Sequence, residues 1–139
     1  MPTDLLNGFG NVYLRISYDA ANHWVRNEWL GTQTYTGILV GADACLGPLT
    51  EHACPYLLND NRQVTGPWDH AVGWIVSNWA PRAIAAGLTH FANVVSPEAL
   101  AASSAHTMAL GLRGQLQMHM FDDLEEARQW LRTAQDHAG

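Results

Sequence analysis

The chain has 139 residues, 47% of them hydrophobic and only 14% charged, which supplies enough apolar surface for one packed domain and excludes a disordered chain. Seven cations, all arginine, stand against thirteen acids for a formal net charge of -6, a balance that disfavours nucleic acid and anionic membranes as partners. The absence of lysine excludes Schiff-base and P-loop lysine chemistry.

Residues 1–10 read as a loosely ordered lead-in with Asn7, Gly8 and Gly10, without the basic and apolar regions of a signal peptide. Two strands follow. Val12–Tyr18 alternates Val12, Leu14 and Ile16 with other residues, and His23–Leu30 runs to Gly31. The four-residue turn Asp19–Asn22 between them predicts an antiparallel hairpin. A helix is predicted from Thr34, with Tyr35, Ile38, Leu39, Ala42 and Leu46 on one stripe and Gly47-Pro48 at its end. Pro55–Leu58 suits a buried strand stopped by the polar turn Asn59-Asp60-Asn61, with Arg62–Gly66 as loop.

The second helix is predicted to begin near Pro67 and to carry Trp68, Val72, Ile75, Val76 and Trp79 on one stripe. Pro81 should kink or restart it, and Gly87 ends it. Leu88–Val95 is a strand. Ser96-Pro97-Glu98 reads as an N-cap, a first-turn proline and an acidic first turn of a helix ending near Leu112. Gln115–Phe121 is the last strand, and Asp122 is the expected cap of a closing helix with Leu124, Ala127, Trp130, Leu131 and Ala134 inward. The expected fold is α/β: one domain over 11–136 with a mixed five-stranded sheet, in the order β-β-α-β-α-β-α-β-α.

This order resembles the SpoIIAA-like family, small bacterial domains related to STAS anti-sigma antagonists and, in fold, to CRAL-TRIO lipid-binding domains. The likeness rests on the opening hairpin, Leu57-Leu58-Asn59-Asp60, Ala86-Gly87-Leu88 and above all the closing stretch from Phe121 to Leu131. The resemblance implies a cytoplasmic, non-enzymatic binding or regulatory role. STAS antagonists carry a phosphorylatable hydroxyl in a short turn after the third strand. Here that region spans Asp60 to Pro67, is longer, and offers only Thr65.

Ligands of open α/β sheets gather beyond the carboxyl ends of parallel strands. The expected binding rim therefore comprises Asn59, Asp60, Asn61, Arg62, Thr65, Trp68, Asp69, His70 and Ser96. Helix N-termini near Pro67 and Ser96, with Arg62, could hold an anion. Equally, Asn59 and Asp60 could form turns and caps, with Arg62 paired to Asp60 or Asp69. A second reading makes Trp68, Trp74 and Trp79 the walls of an apolar pocket for a hydrophobic small molecule. A third makes Asp60 and His70 an acid–base pair.

Seven scattered histidines and one His-x-Cys show no metal-ligand spacing, so neither a metal nor another cofactor is expected. Cys45 and Cys54 read as reduced, buried thiols. The partner is a protein or a small molecule, and the low surface charge is compatible with a homodimer. No run approaches the ~18 apolar residues of a membrane span, so no membrane insertion is expected.

Overall fold

The computed structural model describes residues 2–138 and shows one mixed sheet of six strands, ordered in space as they are in the chain. β1 (Thr3–Leu6), β2 (Val12–Asp19) and β3 (Trp24–Gly31) form an antiparallel meander. β4 (Tyr56–Val64), β5 (His90–Val94) and β6 (Gln117–Phe121) extend it, each parallel to its neighbour from β3 onward. The single α/β domain and its opening hairpin are as expected; the strand count is six rather than five. The added strand lies in the expected lead-in, whose first residue, Met1, is outside the described residues. Thr3 pairs with Ile16 and Leu5 with Leu14. Four largely exposed residues carry too little pattern to announce a strand; the free edge of β2 supplies the partner.

The strand bounds also move. β4 does not stop at Leu58 but runs through Asn59, Asp60, Asn61 and Arg62 to Val64. Asparagine and aspartate favour turns only where water or a local backbone group takes up their hydrogen bonds. Here neighbouring strands and two arginines do so, and the extended backbone persists.

Three connections link the parallel strands: α1 (Tyr35–Glu51), the helical segment 69–85, and α4 (Ala99–Leu112). Right-handed crossovers between strands in consecutive order put every connection on the same face. α1 packs on the 69–79 stretch, which packs on α4. α5 (Leu124–Ala138) lies against β4, β5 and β6 on the other face. Trp24 and Trp29, an odd number apart, point to opposite faces as strand geometry requires. Trp24 lies under Arg128 and Arg132 of α5, 5.7 and 5.6 Å from its ring; Trp29 lies under α1.

The helix ends depart from expectation in informative ways. Thr34 caps α1 by accepting from Gly37 N–H at 3.0 Å, but the helix continues through Pro48 to Glu51. The 69–85 segment starts as a 3-10 turn, Asp69–Ala71, then α2 (Val72–Trp74), a π turn over Ile75–Trp79 and α3 (Ala80–Ala85). Ala80 N–H donates five residues back to Ile75. The wide turn falls just before Pro81, which has no N–H and whose ring crowds the preceding turn. α4 is capped by Glu98, which accepts from Ala101 N–H at 2.7 Å, so Ser96 is freed from that role. α5 is capped by Asp123 rather than Asp122, through Glu126 N–H at 3.2 Å. Among the described residues, no helix is long and apolar enough to cross a membrane.

Gly41 brings α1 down onto the sheet. A Cβ there would stand 2.6 Å from Leu14 Cδ2 and 2.7 Å from Trp29 Cη2. Gly41→Ala is therefore expected to destabilise the fold by about 1–3 kcal/mol through overpacking. Gly73, with nothing within 4 Å of its added Cβ, should behave oppositely. Gly73→Ala should gain up to about 1 kcal/mol of helix propensity. Denaturant unfolding of the pair gives both signs in one experiment.

Candidate functional site

Asn27, Asn59 and Asn93 are each the fourth residue of their strand and lie at one level across β3, β4 and β5. All three are nearly inaccessible to water. Asn59 is fully committed. Its carbonyl oxygen accepts from Trp29 Nε1–H at 2.8 Å, and its amide nitrogen donates to Asn93 at 2.7 Å and Asn61 at 3.2 Å. Asn93 donates on to the Met120 sulfur at 3.7 Å. This chain crosses the helix-covered face at mid-sheet.

Above it lies a cavity of about 50 Å³ between the sheet and the helices. Its walls are mainly apolar, with Trp29, Trp68, Trp79, Phe91, Ile38 and Met108 prominent. Asn27, Gln33, Asn59 and Asn61 supply polar edges. Cys45 is the one ionisable group on the wall. Burial pushes its thiol up to about 11, against the pull of hydrogen bonds from Asn27 and Trp79, so it is neutral.

Asn27, Gln33 and Trp68, whose residues line this wall, each carry one buried polar atom without a partner: Asn27 Oδ1, Gln33 Oε1 and Trp68 Nε1. The orientation of Gln33 is fixed, because its amide nitrogen donates to the carbonyls of Leu30 and Gly31 at 3.0 and 3.3 Å. Carbonyls only accept, so the oxygen must be the free end. Trp68 is held from behind: its backbone N–H donates to Ser104 Oγ at 2.9 Å, and Ser104 in turn bonds Leu100 O. Each unpartnered buried atom costs about 1–3 kcal/mol.

The opposite face of β4 carries a row of ion pairs, in which the buried Arg26 Nε is left without a partner. Two steps along β3, from Glu28 to Leu30, match three along β4, from Asp60 to Gln63, so β4 bulges there. Asp60 accepts from Arg62 N–H, Arg62 Nε and Nη2, and Arg26 Nη2, at 2.9 to 3.1 Å. Arg26 also meets Glu28, Glu28 meets Arg15, and Arg15 meets Asp4. Burial alone would raise the Asp60 carboxyl; the arginines outweigh it and hold the group below its ordinary value.

The structure spreads the nine residues of the expected rim over both faces. Asn59, Asn61 and Trp68 line the cavity. Asp60 and Arg62 belong to the ion-pair row beyond the sheet, in a strand and not a turn. Thr65, Asp69 and His70 are exposed, with Thr65 Oγ1 3.2 Å from Thr32 Oγ1 and the His70 ring 6.4 Å from that of Tyr35. Asp60 and His70 are thus on opposite sides of the sheet. Ser96 is buried at the strand ends, donating to Val64 O at 2.7 Å and accepting from Glu98 N–H.

Of the three tryptophans expected as pocket walls, Trp68 and Trp79 line the cavity. Trp74 stands outside it, with the Arg82 guanidinium 5.7 Å above its ring, and Trp29 takes its place. Asn27, Gln33, Cys45, Asn93 and Ser104 are the residues that sequence reasoning missed. The signal for three of the asparagines was present: Asn is depleted in strands, yet it sits at the same position of three apolar runs. Family models, curated proteins and solved structures give no match to this chain.

Two predictions follow from this wiring. Trp29→Phe strands the Asn59 acceptor and should cost about 2–4 kcal/mol, whereas Trp68→Phe removes an already orphaned donor and should stay within about 1 kcal/mol of wild type. Urea unfolding curves compare them directly. Asp60→Asn should cost about 1–3 kcal/mol at neutral pH, less than for a fully buried pair because both guanidinium groups are partly in water. The folded carboxyl titrates below its ordinary 3.8, so its contribution is present above that value and is lost as pH falls through the lower folded one. The stability gap between wild type and Asp60→Asn should therefore be full near neutrality and shrink below pH 3.8; a gap that does not change with pH would contradict it.

Proposed function

We propose that the chain is a non-enzymatic binding module that holds a small uncharged molecule in the cavity between the sheet and its three covering connections. One observation carries this reading: three of the residues that line one aromatic-walled cavity each carry a buried polar atom without a partner, two acceptors and one donor. A ligand that partners even one of them recovers on the order of 1–3 kcal/mol, about tenfold or more in affinity. The absence of any charged side chain from the lining favours a neutral occupant, because an ion there would lose its hydration without a counter-charge.

The reading combines the binding-module expectation with the tryptophan-walled pocket and moves the former from the rim of the sheet to its interior. The SpoIIAA-like resemblance belongs to the same proposal. Its support is the hairpin followed by helix-linked parallel strands and a closing helix; β1 stands outside it. The acid–base alternative has little to recommend it, since Asp60 is ion-paired and turned away from His70.

Xenon and a set of neutral fragments, read by the indole resonances of Trp29, Trp68 and Trp79, test the cavity, and native mass spectrometry tests for a retained ligand. Cavity-lining residues are expected to respond. Val64→Ile, which adds one methylene to the wall, should weaken fragment binding about tenfold while changing stability by no more than about 1 kcal/mol. A cavity that answers to none of these probes, in a protein whose mass is that of the bare chain, would sink the proposal.

A further inference from the structure

Resting on that reading, the geometry points to the class of ligand: we infer that it presents a primary carboxamide or urea-type head, with N–H donors beside one carbonyl acceptor. The unpartnered atoms define the complement. Gln33 Oε1 can only accept, and Asn27 Oδ1 accepts in the orientation its amide takes in the structure, so each needs an N–H or O–H from the ligand. Trp68 Nε1–H can only donate, so it needs a lone pair. Their residues are 2%, 6% and 6% exposed, so bulk water does not compete for them.

The rest of the wall narrows the choice. A carboxylate would place charge against two carbonyl oxygens with no cation on the lining. An ammonium group would meet those oxygens but offer nothing to the indole N–H. An alcohol has one hydrogen and cannot serve two acceptors at once. A –C(=O)NH₂ group has two donor hydrogens and a carbonyl with two lone pairs, which matches the set. Size agrees as well. The open volume of about 50 Å³ is a few times the ~10–15 Å³ that a single water needs in a cavity, which suits a compact head of a few heavy atoms rather than a whole ring system. Any larger tail requires Met108 to swing, and an unbranched thioether does so readily.

Asn59 and Trp79, which also line the cavity, make the same selection by being unavailable. Both amide hydrogens and the oxygen of Asn59 are used within the protein, and Trp79 Nε1–H donates to Ala42 O at 2.7 Å. Recognition therefore falls on Asn27, Gln33 and Trp68, with Ser104 as the positioning residue that sets the indole through its bond to the Trp68 backbone.

The test uses the full chain, labelled with ¹⁵N, and three probes: acetamide and acetate, of nearly one shape, and the larger N,N-dimethylacetamide, which keeps the carbonyl but has no N–H. Xenon serves as the control for an open cavity. Acetamide is expected to move the Trp68 indole N–H resonance downfield and to bind about tenfold more tightly than either analogue. Trp68→Phe should weaken acetamide about fivefold or more without lowering the melting temperature, a combination that a purely structural role does not give, whereas Gln33→Leu should weaken it similarly while also losing stability with its bonds to the Leu30 and Gly31 carbonyls. Should one variant fail to fold, the other and the analogue series still decide. If N,N-dimethylacetamide or acetate binds as well as acetamide, the ligand class is wrong and the cavity reading survives. If xenon enters but acetamide does not, the result is the same. If neither perturbs the cavity, it is a hydrated packing defect only, and both readings fall.

Discussion

Burying an amide in a sheet face sets a constraint that the rest of this molecule answers. Three asparagines at one level of β3, β4 and β5 must each find partners away from water, and a buried amide without them is costly. Asn59 meets the constraint completely, by taking the Trp29 indole hydrogen and spending both of its own on Asn61 and Asn93. That arrangement fixes Trp29, and Trp29 fixes how closely α1 can approach, which is why Gly41 must have no side chain. The register of three strands, one indole and the seat of a helix thus follow from satisfying a single side chain.

The order of the strands decides where a ligand can be held. In doubly wound sheets a crevice opens where successive connections diverge to opposite faces. Here β3 to β6 follow one another in space, and the connections stack on one face. They close over the sheet instead of parting at its edge. Ser96 ties the end of β4 to the segment after β5, and Glu98 occupies the N-terminus of α4 with its own carboxylate. The rim expected to gather the polar loop residues is therefore engaged in holding the strands together. The space left over lies inside, under α1, the π turn and α4.

Much of this was legible in the sequence. The hairpin, the helix-linked strands, the stripe of α5 and the opposite facing of Trp24 and Trp29 follow from periodicity, whereas on α1 the expected Tyr35 is exposed and the buried stripe is Ile38, Gly41, Ala42, Cys45 and Leu49. β1 was not legible, because its pairing is a property of the β2 edge and not of Thr3–Leu6. The polar run Asn59 to Arg62 read as a turn because local propensity sees only neighbours in the chain. Its strand character comes from Asn93 on one side and Arg26 on the other, each 34 positions away from its contact. The same limit moved the helix caps: Ser96 and Asp122 have the right chemistry, but Glu98 and Asp123 stand where the backbone turns. For the candidate site, Asn59, Asn61 and Trp68 were in view, whereas Gln33 and Ser104 carry no local signal at all.

The two faces of β4 show opposite treatments of polarity, and the contrast argues for which one binds. Asp60 accepts four hydrogen bonds, which fills its two oxygens, and its row of charges continues to Asp4 with opposite signs alternating, with Arg26 Nε as its one unpartnered buried atom. Such a row is internally neutralised; an incoming ion would have to displace a partner already in place. One residue along the strand, the amide face leaves two acceptors and a donor without partners in a space lined by rings. Sequences that fold well remove such conflicts unless something outside the chain resolves them. Local disagreement with the rules of burial is thus more informative about function than the conspicuous charges are. The most polar stretch of the sequence stabilises the strand, and the quieter residues beside it are the ones with something left to bind.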